Sequence, residues 1–370
     1  MENIKADAFD VTCVGNALIE IFITANNTEC INKNQVPGSM YLIDEFEADI
    51  LQERALNKTI LCGGSAANTA VGIASFGGKA SFIGKVKNDF FGKLFYKEMI
   101  KKNVSFLTNL SNSGYGTGKN YIIISSDKKE RTMYTYLGAA SELNEHDVST
   151  HKIKDSKILF VEGYLWDKNN SKKAALKAID IACEYGVRVA FTLSDSLCVE
   201  RHKEEFIDLI YNKVDILFGN KKEALTLFDS IKLKSAIELA QKSCQISIFT
   251  LGSKGAMIID KNNIYRIKPK KVDKIIDTTG AGDAFAAGFL YGLSKGMKPI
   301  DCGKMGSIAS AENVSHLGSR PKVVLSNLLK ETKPNGQKKL NNILNKLETA
   351  LIKQHRDESI DKTIFNGLDD

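Results

Sequence analysis

From about residue 157 onward, short apolar runs alternate with longer amphipathic segments. The apolar runs 158–161, 187–192 and 246–250 have the length of buried strands, whereas segment 172–185 places its apolar residues at helical spacing. Such alternation is typical of a parallel sheet that is covered by helices on both faces. The sequence therefore predicts an α/β fold with three layers, α/β/α, around a mostly parallel central sheet.

A second pattern lies between residues 115 and 140. Two β-rich runs, 121–124 and 131–136, flank the polar turn 125–130, which is a hairpin signal. Together with the strand-like region near 20–43, this hairpin predicts a small β-sheet apart from the main body.

The composition turns polar after about residue 325, and a break follows at 334–336. Beyond it, five apolar residues share one helical stripe: Leu340, Ile343, Leu344, Leu347 and Leu351. The final dozen residues have the polar composition of a disordered terminus. We therefore expect residues 329–370 to form a helical, partly disordered C-terminal extension.

Charge and cysteine content narrow the classes of function. The 370 residues carry 51 basic and 44 acidic side chains, a net charge of +7 without a basic stripe interleaved with aromatics, so no nucleic-acid partner is expected. The seven cysteines are scattered and form no C-x-x-C pair, and the five histidines show no metal spacing. No apolar run approaches the roughly 18–20 residues of a membrane span. We expect a cytoplasmic protein with reduced thiols and no membrane partner.

The run 277–283 (DTTGAGD) is the most informative stretch of the chain. Asp283 follows Gly280, Ala281 and Gly282, and it precedes an apolar, Ala-rich segment that predicts a helix. A helix N-terminus carries unpaired N–H groups and a partial positive charge, so it attracts phosphate. A carboxylate base beside an anion cradle is the arrangement that phosphoryl transfer to an alcohol needs.

A second small-residue stretch, 62–70 (CGGSAANTA), also precedes a predicted helix. Gly63 and Gly64 are compatible with an ordinary turn, with a close backbone approach to a ligand, or with a hinge. Asn68 falls on the first turn of the helix, where its amide can face a ligand hydroxyl.

Two further segments follow predicted strands, at the edge where ligands collect in α/β sheets. Asn220 and Glu223 are spaced either to organise the water shell of Mg²⁺ or to cap a helix. The turn 250–255 (TLGSKG) suits either a nucleotide contact or a plain hairpin.

These four segments, in this order, resemble the signatures of the PfkB, or ribokinase-like, family of small-molecule kinases. The resemblance extends from about residue 10 to 325 and implies a ribokinase-like fold with ATP and Mg²⁺ as partners of the reaction. A kinase must shield ATP from water, so the small sheet is interpreted as a lid that comprises residues 18–45 and 115–140. The α/β core then comprises three stretches: 1–17, 46–114 and 141–328.

The resemblance also implies roles for individual residues. Asp283 would be the general base, and the N–H groups that follow Gly280, those of Ala281, Gly282 and Asp283, would form an anion hole. Six residues would hold the acceptor: Asn16, Glu20, Gly63, Gly64, Asn68 and Arg131. Six would lie on the ATP side: Asn220, Glu223, Thr250, Gly252, Gly255 and Asn313. Glu223 would organise Mg²⁺ through water, and a monovalent cation, often potassium in this family, would lie near Asp277 and Thr279.

Within the family, the segments 15–20, 131–140 and 162–167 most resemble the adenosine kinase branch. Glu20 replaces the aspartate that usually holds the ribose hydroxyls, so the carboxylate is kept on a longer side chain. The resemblance implies an ATP-dependent kinase that phosphorylates a nucleoside, adenosine to AMP first. A sugar kinase of the fructose or ribose type is the alternative, and a non-catalytic nucleotide sensor is a minor one. Monomer and homodimer both stay open.

Overall fold

The computed structural model describes residues 9–25, 40–54, 58–125 and 131–331. Residues 126–130 of the predicted 125–130 turn lie outside these residues, as does the predicted tail helix at 340–351. Within them, no helix is both long enough and apolar enough to cross a membrane.

Fourteen strands are present in the described part of the chain. They are β1 (Phe9–Val14), β2 (Leu18–Ala25), β3 (Met40–Leu42), β4 (Lys58–Gly63), β5 (Ala80–Ile83), β6 (Val104–Phe106), β7 (Gly118–Ser125), β8 (Arg131–Tyr136), β9 (Ser156–Glu162), β10 (Arg188–Thr192), β11 (Ile216–Asn220), β12 (Ile246–Thr250), β13 (Ala256–Asp260) and β14 (Ile264–Ile267).

Eleven α-helices accompany these strands in the same described ranges. They are α1 (Glu45–Arg54), α2 (Ser65–Ser75), α3 (Phe90–Lys101), α4 (Thr150–Lys154), α5 (Asn169–Glu184), α6 (Ser196–Lys213), α7 (Lys221–Leu227), α8 (Leu233–Ser243), α9 (Ala281–Ser294), α10 (Pro299–Asn313) and α11 (Leu325–Glu331).

Nine strands form the main sheet, in the order β14-β13-β12-β11-β10-β9-β1-β5-β6. Its centre is parallel: Val11 on β1 pairs with Ala80 on one side and with Ile158 on the other. Antiparallel pairing is confined to the β12–β13–β14 edge. The predicted mostly parallel sheet is confirmed.

Successive side chains of β9 pack against different helix layers. Ile158 and Phe160 join a hydrophobic cluster with α2 and α9, whereas Leu159 and Val161 join a second cluster with α5 and α6. Successive side chains of a strand point to opposite faces, so helices cover the sheet on both sides. The predicted three-layer α/β/α domain is confirmed.

The second sheet has five strands, in the order β3-β8-β7-β2-β4. The predicted hairpin is present, because Ile122 on β7 pairs antiparallel with Met133 on β8. The fifth strand differs from expectation: β4 lies within 46–114, which was assigned to the core, yet it pairs antiparallel with β2. This pairing joins strands that lie far apart in sequence, so no local pattern indicates it.

Candidate active site

A cleft of about 570 Å³ lies between the carboxyl edge of the main sheet and the small sheet. Its floor is formed where the parallel strands of the main sheet end, as expected for an open α/β sheet. Five residues at or just after these strand ends line it: Asn16, Glu162, Thr192, Asn220 and Thr250. Strand direction therefore brings together side chains that are far apart in the sequence.

Asp283 lies on the first turn of α9 and faces this cleft. Its Oδ1 accepts a hydrogen bond from Ser65 Oγ (2.7 Å), and its Oδ2 accepts one from Asn68 Nδ2 (3.0 Å). Burial raises the pKa of Asp283, and these two hydrogen bonds oppose that shift. A carboxylate with a raised pKa is a stronger proton acceptor, so Asp283 has the position and chemistry of a general base.

Different features of the structure explain why glycine occurs at positions 280 and 282, just before Asp283. Gly280 caps α9 in the left-handed region (φ 75°), and a Cβ there would lie 2.6 Å from that of Ser319. At Gly282, which is exposed, a Cβ would meet nothing within 4 Å, so the backbone is open to a ligand. The N–H of Ala281 donates to the Thr278 carbonyl in this structure (3.2 Å). The expected anion hole therefore has one of its three donors engaged in a turn.

Asn16, which is predicted to hold the acceptor, is bound by Glu162, a residue that the sequence analysis did not assign to the site. Glu162 Oε1 accepts from both the backbone N and the Nδ2 of Asn16, each at 2.8 Å. Its Oε2 accepts from the Ala66 N–H at the start of α2 (2.9 Å). Burial raises the pKa of Glu162 to about 7, while these donors lower it. Glu162 thus orients Asn16 and ties β9 to the start of α2.

Glu20 is buried beside the cleft, and its Oε2 accepts a hydrogen bond from Ser319 Oγ (2.9 Å). Burial raises the pKa of Glu20 to about 7. Gly63 makes room for the longer side chain, since a Cβ there would lie 2.3 Å from Glu20 Oε1. Gly64 has a φ of 92°, and its Cβ would lie 2.2 Å from the Asn16 carbonyl oxygen. Close approach therefore explains both glycines, and their role as a hinge stays a prediction.

Asn220 and Glu223 form a reciprocal helix cap at the start of α7. Asn220 Oδ1 accepts from the Glu223 N–H, and Glu223 Oε2 accepts from the Asn220 N–H, both at 2.9 Å. The capping interpretation is confirmed, and both residues also line the cleft. Burial raises the pKa of Glu223 to about 7. Their role toward Mg²⁺ stays a prediction.

The 250–255 turn is a hairpin between β12 and β13. Thr250 lines the cleft, whereas Gly252 and Gly255 supply the positive φ values (58° and 93°) that the turn requires. Their contact with ATP stays a prediction. Arg131 begins β8 opposite Ile124, and its side chain lies outside the described residues.

Asn313 was expected near the adenine or ribose, but the structure places it beneath the 277–283 turn. It is fully buried, and its Nδ2 donates to the Thr279 carbonyl (2.7 Å). Its Oδ1 has no hydrogen-bond partner within the described ranges. Asp277 is also fully buried and accepts from the N–H groups of Thr279 (2.7 Å) and Gly318 (2.9 Å). These oxygens suit a monovalent cation, whose presence stays a prediction.

His202 lies beside an aspartate and a cysteine, a grouping that the spacing of the histidines in the sequence does not indicate. His202 Nε2 lies 2.9 Å from Asp167 Oδ1, and Cys198 is near both. Arg201 already binds both oxygens of Asp167, so this carboxylate has a cationic partner. We interpret the group as a structural ion pair at the start of α6.

The fold and the site define a class of protein: a small-molecule kinase that transfers a phosphoryl group to an alcohol. The sequence signature described as pfkB family carbohydrate kinase matches residues 37–324, and the chain belongs to this family. Its members are phosphotransferases that act on hydroxyl groups of sugars or nucleosides and use ATP, usually with Mg²⁺. The predicted family, fold and enzyme class are confirmed.

Curated relatives of the chain include sugar kinases. The 5-dehydro-2-deoxygluconokinase of Clostridium perfringens is 31% identical over 294 residues, covering 75% of this chain and 85% of that protein. The enzyme of the same name from Bacillus subtilis is 28% identical over 321 residues, covering 83% and 90%.

Two solved structures are also similar. A probable sugar kinase from Rhizobium etli CFN 42 is 37% identical, with a TM-score of 0.84 over 88% of this chain and 98% of that one. The adenosine kinase from Sinorhizobium meliloti is 35% identical, with a TM-score of 0.84 over 88% and 100%.

Proposed function

We propose that this enzyme transfers the γ-phosphoryl group of ATP to a primary hydroxyl of a sugar, with Asp283 as the base. The observation that carries the proposal is the placement of Asp283 at the N-terminus of α9, where Ser65 and Asn68 hold both carboxylate oxygens. An acceptor hydroxyl beside Asp283 would lose its proton to the carboxylate as the phosphoryl group arrives. The N–H groups of the first turn of α9 would stabilise the charge on that group.

Mg²⁺ would be held through water by Glu223, with Asn220 orienting its carboxylate. The buried, oxygen-rich cap that these two residues form at the cleft suits a hard cation that retains its water ligands. When bound, the ion neutralises charge on the phosphates of ATP. The Asp277 carboxylate and the Thr279 carbonyl oxygen would bind a potassium ion beneath the 277–283 turn.

The sugar assignment is supported by the names of the curated relatives and by the polar acceptor side. Asn16, Glu20 and Asn68 present buried amide and carboxylate groups at the cleft, which suit a ligand rich in hydroxyls. Each group has one partner or more within the protein, and the donor and acceptor positions that remain can bond to hydroxyls of an acceptor.

A nucleoside, with adenosine first, is the second candidate. The part of the small sheet that faces the cleft carries aliphatic side chains beside the polar Asn120 and Thr135, and an apolar surface suits a nucleobase beyond the ribose. Five aliphatic residues line it: Leu18, Met40, Leu42, Met133 and Leu137. The similarity to the S. meliloti adenosine kinase points the same way.

The test is acceptor-dependent ADP release from Mg-ATP, with and without potassium. The panel contains 5-dehydro-2-deoxygluconate, fructose, ribose, adenosine, inosine, guanosine and cytidine. Turnover with a sugar or sugar acid alone supports the proposal, and turnover with adenosine alone replaces it with the second candidate. Silence across the panel overturns both acceptor assignments.

A further inference from the structure

Arg320 lies in the loop after α10, and its side chain extends toward the start of α2 at the candidate active site. Its Nε donates to Asn68 Oδ1 and its Nη2 donates to the Gly63 carbonyl, each at 3.2 Å. The guanidinium lies 5.3 Å from the centre of the Phe95 ring. No signature motif of the sequence contains this arginine, yet it contacts two residues of the second small-residue stretch.

The Asn68 amide is used at both ends. Its Nδ2 donates to Asp283 Oδ2, and its Oδ1 accepts from Arg320. A guanidinium can only donate hydrogen bonds, and an ionised carboxylate can only accept them. If the amide were turned over, oxygen would face carboxylate and NH₂ would face guanidinium, so the two partners allow one orientation.

We propose that Arg320 is a positioning residue, which holds the Asn68 amide in the orientation that presents Nδ2 to Asp283. It also fixes the Gly63 carbonyl at the end of β4, just before α2, on the proposed acceptor side of the cleft. The inference rests on the proposed role of Asp283 as the base. It deepens that proposal by naming what keeps the base in place.

Burying Arg320 is unfavourable for stability, which supports a functional role for this residue. Its Nη1 is buried and has no hydrogen-bond partner in the described part of the chain, which is unfavourable for a cationic group. Burial lowers the pKa of the Arg320 guanidinium, while nearby Cys62, Glu20 and Glu98 oppose that shift. An apolar side chain against Phe95 would avoid the unpaired donor but could not orient Asn68.

Asp283 lies near three other carboxyl groups, all of them buried. Glu20 on β2, Glu162 at the end of β9 and Glu223 on α7 all interact with Asp283 through their charges. Burial raises the pKa of Asp283 and so favours proton uptake, whereas the hydrogen bonds from Ser65 and Asn68 lower this pKa and favour the ionised form.

The first experiment replaces Arg320 in the full chain. Arg320→Met should lower kcat by about 10-fold to 100-fold, because a small misplacement of the base is costly, while the KM for ATP stays unchanged. Arg320→Lys keeps a cation that can reach one of the two acceptors, so its kcat should lie between those of the wild type and Arg320→Met. Arg266→Met, on the exposed side of β14, is the matched control and should behave as wild type.

A double-mutant cycle then separates positioning from general stability. If Arg320 acts through Asn68, adding Arg320→Met to Asn68→Ala should reduce kcat little further. A multiplicative loss in the double variant, or wild-type kcat in Arg320→Met, would overturn the proposal. Should Arg320→Met fail to fold, Arg320→Lys enters the same cycle.

A measurement that needs no acceptor substrate tests the positioning role of Arg320 separately from the proposed kinase function. The side-chain amide resonance of Asn68, assigned by its loss in Asn68→Ala, should shift with the titration of Asp283, and Asp283→Asn should abolish that step. In Arg320→Met or Arg320→Lys the step should weaken or move to higher pH. An unchanged titration refutes the positioning role, whereas a wild type without acceptor-dependent ADP release refutes the proposed function alone.

Discussion

The Ser319 hydroxyl donates a 2.9 Å hydrogen bond to the Glu20 carboxylate, across 299 residues of sequence. This contact joins the loop after α10 to the first strand of the small sheet. It holds Oε2 of the Glu20 side chain. The contact, with the space left by Gly63, places the Glu20 carboxylate beside the cleft.

Glu20→Ala should raise the KM for the acceptor by about 10-fold or more and leave the KM for ATP unchanged, because one charged hydrogen-bonding group is lost from the acceptor side. Initial rates with the best acceptor at varied concentration measure this. Glu53→Ala, on the exposed face of α1, is the control. An unchanged acceptor KM would remove Glu20 from the site.

Asp283→Asn should cut kcat by about 100-fold to 10,000-fold, the usual range for a lost general base. Asparagine at 283 keeps one oxygen that can accept from Asn68 Nδ2, and its NH₂ group can donate to the Ser65 hydroxyl, so the fold and ATP binding should be preserved. Turnover assays together with calorimetric titration of ATP check both parts. Near-wild-type turnover contradicts the assignment of Asp283 as base.

Glu223→Gln should stabilise the protein at pH 8 and not at pH 4. Burial raises the pKa of Glu223 from 4.5 to about 7, so the folded state binds this proton more tightly than the unfolded state. The penalty for the buried charge is absent below about pH 4.5, grows as pH rises to 7 and is complete above it. Glutamine avoids the charge and still suits the helix cap.

Thermal unfolding midpoints at pH 4 and pH 8 measure this difference. The same variant should lose Mg²⁺-dependent activity if Glu223 organises the ion. A lower midpoint at pH 8 would show that the carboxylate stabilises the fold as an anion.

Gly280→Ala and Gly282→Ala should have opposite effects on stability. Alanine at 280 would adopt a left-handed conformation against Ser319, which should cost about 1–3 kcal/mol. Alanine at 282 meets nothing within 4 Å and should stabilise α9 by about 0.5–1 kcal/mol. Denaturant unfolding compares the two variants.

Turnover assays test the role of Gly282 separately from its effect on stability. The added methyl of Gly282→Ala would occupy the space where a phosphate would approach the helix, so this variant should be stable and slow. Full activity in Gly282→Ala would show that the phosphoryl group lies elsewhere.

Most of the fold could be predicted because its signals are local. The alternation of apolar runs and helical stripes from residue 157 onward specified β9 to β12 and the helices between them, and the Gly-rich turn placed Asp283 at the start of α9. Helix and strand periodicity act between near neighbours, so a single sequence contains them.

The sequence did not predict the features of the site that depend on tertiary packing. Asn313 looked like a ligand contact, but the close approach of α10 to the turn buries it against the Thr279 carbonyl. Ser319 and Arg320 lie in no motif, and Ser65 and Glu162 lie in segments of the family resemblance that gave them no role. Each of the four contacts the site through a partner more than 90 residues away.

The sequence by itself determined the layer architecture and the placement of Asp283 at a helix N-terminus, because each depends on residues within a few turns of one another. The tertiary structure decided which strands share the small sheet, how Glu20 is held and which way the Asn68 amide faces. Those features depend on hydrogen bonds between distant segments, and such contacts exist only after the sheets and helices have packed together.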